Sequence, residues 1–113
     1  MTTQDKIEAI SAYFTTPIKR IEHVIPYHPI CKPFTAYRWL IIIAGNPGCT
    51  VTGMRDLYTT NTRTIVVAVD RLVQLGFVRQ VQKPRWVVAL HAWKVEKVYE
   101  ITYSGKKVLS ELL

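Results

Sequence analysis

Four side chains in the N-terminal half have the chemistry of metal ligands: His23, His28, Cys31 and Cys49. Their spacings are ones a zinc site tolerates. They fall around a proline-broken stretch with no paired Cys-x-x-Cys knuckle, so no metal is expected. Nucleophilic and phosphate chemistry lack their usual frames too, with no nucleophile elbow, P-loop or glycine-rich dinucleotide turn. Only eight Asp and Glu are available for a catalytic carboxylate pair, and most fall on faces that read as solvent-exposed. The expectation is a protein that is not an enzyme and uses no cofactor. A different chemistry is open to Asn61-Thr62-Arg63-Thr64, which places short polar side chains and a guanidinium at a helix start. Backbone N–H groups point outward there, and such a run can meet phosphates and base edges. Lys83, Arg85, Lys94 and Lys97 add cations further on, interleaved with Trp86 and Trp93. The cations either grip a polyanion or keep a sheet edge soluble. The tryptophans suit packing or an interface better than base stacking.

The elements that would position these groups can be read from caps and periodicity. Residues 3–14 form a first helix, capped by Thr2 or Thr3, with Ile7, Ile10 and Phe14 on one face. Thr16-Pro17 then starts a short helix through Ile18, Ile21 and Ile25. Pro26, Pro29 and Pro33 prevent any continuation and make a linker. The expected organisation is thus an arm and linker over residues 1–33 and a main unit over 34–113, in one compact domain. A central helix from Thr35 to Ala44 is capped by Thr35 and stopped by Gly45-Asn46-Pro47-Gly48. A short helix capped by Thr50 or Thr52 turns Met54, Leu57 and Tyr58 inward. A third runs from about Thr62 to Leu75 on Ile65, Ala68, Val69 and Leu72, closed by a left-handed Gly76. The period then changes from 3.6 to 2: residues 77–82 and 98–102 alternate as strands, with Arg85–Trp93 apolar on both faces between them. Pro84 marks a bulge, a turn or an edge. Ser104 caps a last helix carrying Val108, Leu109, Leu112 and Leu113.

Composition narrows the partner. The 113 residues hold 15 Lys and Arg against 8 Asp and Glu, a net charge of +7 and a pI near 9.7. That excess points to nucleic acid before a membrane surface. Residues 77–113 carry seven of the basic side chains and three acidic ones, so the excess is concentrated there. The longest apolar run, Trp39–Ala44, is far short of the roughly 18–20 residues of a membrane span. No secretory signal is read at Met1–Lys6, and two cysteines make no disulfide scaffold. No membrane contact and a cytoplasmic location are the expectations.

In order and spacing, four segments resemble winged helix-turn-helix regulators of the MarR type. They are Thr50–Met54, Asn61–Ile65, Val69–Val78 and Ile101–Leu109, which span about the last two thirds of the chain. The resemblance implies an α+β, mostly α fold: a three-helix core, a β-hairpin wing, and flanking N- and C-terminal helices. It implies a homodimeric, sequence-specific double-stranded DNA-binding transcriptional regulator. The DNA contacts it implies are Thr59, Thr60, Asn61, Thr62, Arg63, Thr64, Val67 and Arg71, with Arg79, Lys83, Arg85, Lys94 and Lys97 from the hairpin. Arg63 would read guanine, and Thr59 and Thr60 would hold phosphate. Ile7, Ile10 and Phe14, with Val108, Leu109, Leu112 and Leu113, would join two protomers. The chain departs from the family at Val66 and Val67, which cannot read hydrogen bonds, and at Arg55, where a small residue is usual. Those departures keep two alternatives in view: a winged-helix protein-interaction module, and a DNA-binding part of plasmid or viral replication or partition machinery. No effector ligand is legible.

Overall fold

A computed structural model describes residues 18–58 and 60–112. The helix expected over 3–14, the Thr16-Pro17 start, Thr59 and Leu113 lie outside the described residues. Five helices and one hairpin follow in the order α1 (Ile18–Val24), α2 (Pro33–Gly45), α3 (Val51–Tyr58), α4 (Thr62–Gln74), β1 (Val78–Val87), β2 (Ala92–Ile101) and α5 (Tyr103–Leu112). The fold is α+β and mostly helical, with a two-stranded antiparallel hairpin after the helices.

Helix α2 is the centre of the core because its sequence is apolar almost all round. Ala36, Tyr37 and every residue from Trp39 to Ile43 are buried. Only Arg38 among residues 36–43 is exposed, and a helix of that kind must be enclosed by its neighbours. It starts earlier than Thr35: Lys32 is the extended N-cap, without a side-chain cap, and Pro33 opens the helix. Proline's fixed φ fits the first helical position, and its missing N–H needs no partner there, so proline rather than threonine sets the start. The three consecutive isoleucines sit in helix despite their β-branching, since burial on every side outweighs a small propensity penalty. Asn46 ends the helix, its Nδ2 donating to the Ile42 carbonyl at 2.7 Å.

Helix α1 breaks at the prolines, yet Ile21, Ile25 and Cys31 are buried in the same cluster as α2. Arg20 donates to the Glu111 carbonyl and so ties α1 to the end of α5. Helix α3 is capped by Thr50, whose Oγ1 accepts from Gly53 N at 2.9 Å. Met54 is buried as expected, but Leu57 is 60% exposed, so the short helix turns a narrower face inward than its sequence indicates. Tyr58 meets Trp39 edge to face at 6.1 Å. Helix α4 buries Ile65, Ala68, Val69 and Leu72, the face its periodicity predicts. Gly76 follows with φ +78°, the left-handed stop.

The hairpin is longer than expected: each strand has ten residues, in continuous register from Val78↔Ile101 to Val87↔Ala92. Pro84 pairs with Val95 without a bulge. A two-stranded ribbon has a free edge on both sides, which is where a residue lacking an N–H is tolerated. The turn is a short 3-10 helix, Val88–Leu90, closed by His91 at φ +45°. At the base, Tyr99 N donates to the Cys49 carbonyl at 2.9 Å, so the segment between α2 and α3 is pinned to β2. Thr102, not Ser104, caps α5: its Oγ1 accepts from Gly105 N at 3.2 Å. The helix begins two residues early because Thr102 is also anchored to the α4 exit, its hydroxyl donating to Gly76 O at 2.6 Å.

Candidate nucleic-acid interface

Three residues, 59–61, separate α3 from α4, so the first turn of α4 opens at a tight helix-to-helix corner. Asn61 takes an extended conformation, and its side chain accepts from Arg63 N at 2.7 Å. That cap uses the Asn61 carbonyl oxygen on its own helix and fixes the direction of the turn. Thr62, Arg63 and Thr64 stand exposed upon it, and Thr60 is half-buried beneath. A helix N-terminus with a guanidinium and two hydroxyls offers donors to phosphate and base edges alike.

The surroundings of this turn come from elsewhere in the chain. A cleft of about 480 Å³ runs between α4 and the proline segment, lined in part by Lys32, Thr35, Asn61, Arg63 and Thr64. Lys32 therefore joins Arg63 as a second cation over the same hollow, although 31 positions separate them and no local pattern links them. Val67 is half-buried and lines the inner wall of this cleft. Arg71 is half-buried too, and its Nη2 donates to the Pro26 carbonyl at 3.3 Å, holding the proline segment against α4. The resemblance puts both residues at a nucleic-acid surface; Val67 lines the same cleft as Arg63 and Thr64, and Arg71 is hydrogen-bonded to the proline segment. What remains open along α4 beyond the first turn is Val66, Asp70, Val73 and Gln74. One anion and two valines read few base edges, so polar readout concentrates at Thr62–Thr64.

The hairpin divides its cations. On one face Arg79 pairs with Glu100 at 2.7 Å, Lys83 with Glu100 at 3.6 Å, and Arg85 with Glu96 at 3.3 Å. The hydrogen bond from Arg79, with the charges of Arg79 and Lys83 behind it, holds the Glu100 carboxyl below its ordinary value. Lys94 and Lys97 make no ion pair among the described residues. The turn itself, Val88–His91, carries no formal charge, so all five cations stand back from the tip.

The remaining groups with chemistry are set apart. Burial pushes the thiols of Cys31 and Cys49 up, which suppresses the thiolate. Among the described residues no three His, Cys, Asp or Glu side chains gather as metal ligands. No helix among them is long and apolar enough to cross a membrane. Val108, Leu109 and Leu112, expected to face a second protomer, are buried within their own chain, where α5 packs on α1, α2 and β2. Ile7, Ile10, Phe14, Thr59 and Leu113 lie outside the described residues. Comparison of the chain with protein-family models, with curated proteins and with solved structures finds no match.

Proposed function

We propose that this protein binds double-stranded DNA sequence-specifically as a winged helix-turn-helix homodimer and regulates transcription by occupying its site. The observation that carries the reading is the first turn of α4: capped by Asn61, exposed, and bearing Arg63 between two threonines at the α3–α4 corner. In this reading α4 enters the major groove, where Arg63 meets guanine and Thr62 and Thr64 fix the register. Lys32 adds a phosphate contact from the proline segment. The hairpin is the wing, and Lys94 and Lys97 carry its contact to the backbone.

The test is a titration against random and selected duplexes at two salt concentrations. Strong discrimination, with a steep fall of affinity in salt, supports the reading. Weak and uniform binding to every duplex removes the specific part of it. A second reading, a winged-helix module that assembles with protein, is favoured by one observation: the hairpin tip exposes Trp86, Trp93, Val88 and Leu90. No binding to any duplex would move the assignment there.

A further inference from the structure

The continuous register divides the hairpin side chains between two faces. Glu96 and Glu100 fall on one, together with Arg79, Lys83, Arg85 and Lys94. On the other, Gln82 stands opposite Lys97, Pro84 opposite Val95 and Trp86 opposite Trp93. Towards the base this second face joins the core, with Val78 at 2% and Tyr99 at 8% exposure. Beyond that it is bare: Trp86 is 45% exposed, Trp93 67% and Val95 68%. The two indoles meet edge to face at 5.5 Å and hold each other in place. Lys97 is exposed beside them and makes no ion pair among the described residues. The register puts no carboxylate anywhere on this face. From Trp93 to Lys97 the strand runs roughly 13 Å, at about 3.3 Å per residue, the reach of a few nucleotides. A groove of about 380 Å³ carries the surface on from Val95 and Lys97 to the exposed Thr52 at the start of α3. Glu96 also borders that groove, but it is paired with Arg85 at 3.3 Å.

We infer that this face binds single-stranded DNA, with bases stacked on Trp86 and Trp93 and the backbone held by Lys97. The inference rests on the DNA-binding part of the proposed function, but not on the docking of α4 or on a dimer. Charge selects the occupant. A second copy laid face to face would cover Lys97 with a surface that offers it no carboxylate, an unpaired charge taken out of water. An anionic bilayer would find one cation on the face and be held weakly by it. An unpaired strand supplies both halves of the match, a π-face for the indoles and a phosphate for the lysine. Paired DNA does not: its base faces are buried in the stack, and it offers the indoles only edges and backbone. The cations of the opposite face, three of them paired with Glu96 and Glu100, are left out of this contact.

Tryptophan emission of the full chain tests it, because the third tryptophan, Trp39, is 2% exposed and gives a constant background. The probe is an oligothymidylate of about twelve nucleotides, which has no pairing partner. It should quench the emission saturably, with an affinity that falls in salt by about 0.7 in slope for each phosphate neutralised. Trp93→Ala should weaken binding roughly 10- to 100-fold, and Trp93→Phe much less. Lys97→Ala should lower the salt slope. Tyr103→Ala, which removes an exposed aromatic ring off the hairpin, should leave binding unchanged. No saturable quenching, or a Trp93→Ala variant that binds like the wild type, overturns the inference. Equal losses from Trp93→Ala on the strand and on random duplex overturn it in favour of an ordinary groove contact. Tighter binding of oligouridylate overturns it in favour of RNA. Quenching by phosphatidylserine vesicles but not by the strand does so in favour of lipid. A dimer in sedimentation velocity whose emission ignores the strand does so in favour of a second copy. Should Trp93→Ala fail to fold by circular dichroism, acrylamide quenching of the wild type decides. The bound strand should shield Trp86 and Trp93 from acrylamide, and unchanged accessibility overturns the inference. Duplex titrations on the same samples keep the two readings apart. Strand binding without duplex binding upholds this inference and removes the docking of α4, whereas duplex binding without strand binding overturns this inference alone.

Discussion

Arg63 and Gly105 show how much a single position can be asked to do. Arg63 is held by backbone geometry alone: its N–H closes the Asn61 cap and its side chain is left to solvent. Arg63→Ala should therefore leave stability nearly unchanged but cost about 1–3 kcal/mol on the preferred duplex and relax selection at one base position. Duplex-selection profiles of wild type and variant check both parts. Equal losses on specific and random DNA would reduce Arg63 to a phosphate contact. Gly105 is a packing residue. A Cβ there would sit 2.2 Å from the Phe77 carbonyl oxygen and 2.7 Å from Ile101 Cγ1. The nearer obstacle is backbone, so α5 would have to move away from the α4 exit. Gly105→Ala should cost about 1–3 kcal/mol, read as a lower denaturant midpoint with an unchanged slope.

At the scale of elements, the ion pairs of the hairpin decide which cations are available. Lys83 and Arg85 are each shared with a glutamate, whereas Lys94 and Lys97 have no ion-pair partner among the described residues. Replacing Lys94 and Lys97 together by alanine should flatten the salt dependence of DNA binding, by about 0.9 in slope for each phosphate no longer neutralised. The Lys83→Ala, Arg85→Ala pair should change it less. The reverse ranking, in binding measured across a salt series, would show that the paired face meets DNA. The same ladder sets a pH dependence. The Glu100 carboxyl titrates below its ordinary value of 4.5, chiefly through the Arg79 hydrogen bond. A depressed acid pKa means stability present above the unfolded value and lost as the pH falls through the folded one. Glu100→Gln should thus flatten the acid side of the stability curve, followed by thermal melts from neutral pH downward. An acid limb identical to the wild type would mean the pair does not contribute.

On the scale of the whole molecule, the two ends of the described chain meet in one core. Val108, Leu109 and Leu112 complete it together with Ile21 and Ile25. Deleting residues 108–113 should therefore open the fold rather than merely separate two protomers. Three buried aliphatic side chains at about 1.5–3 kcal/mol each compare with a total stability of about 5–15 kcal/mol for a domain. The expected outcome is loss of a cooperative melt and of near-ultraviolet circular dichroism. A truncated chain that melts cooperatively near the wild-type temperature would show that α5 is dispensable.

The sequence alone settled what depends on neighbours along the chain. Helix α4, its buried stripe and its Gly76 stop follow from a 3.6-residue period and one left-handed position, and the polar turn at Asn61–Thr64 was legible as a helix start. Capping was less secure, since several threonines and Pro33 compete for each start and only the packed neighbours select among them. The hairpin's length stayed hidden because Arg85–Trp93 is apolar on both faces, and a strand with no alternation cannot be told from a turn until its partner is in place. Tertiary structure alone put Lys32 beside Arg63, turned Val67 and Arg71 towards the proline segment, and enclosed the apolar end of α5. Each of these joins residues far apart in sequence, and no local spacing encodes such a meeting. The bare tryptophan face has the same origin: alternation tells which side chains share a face, but only the folded core determines how far along the ribbon that face is covered.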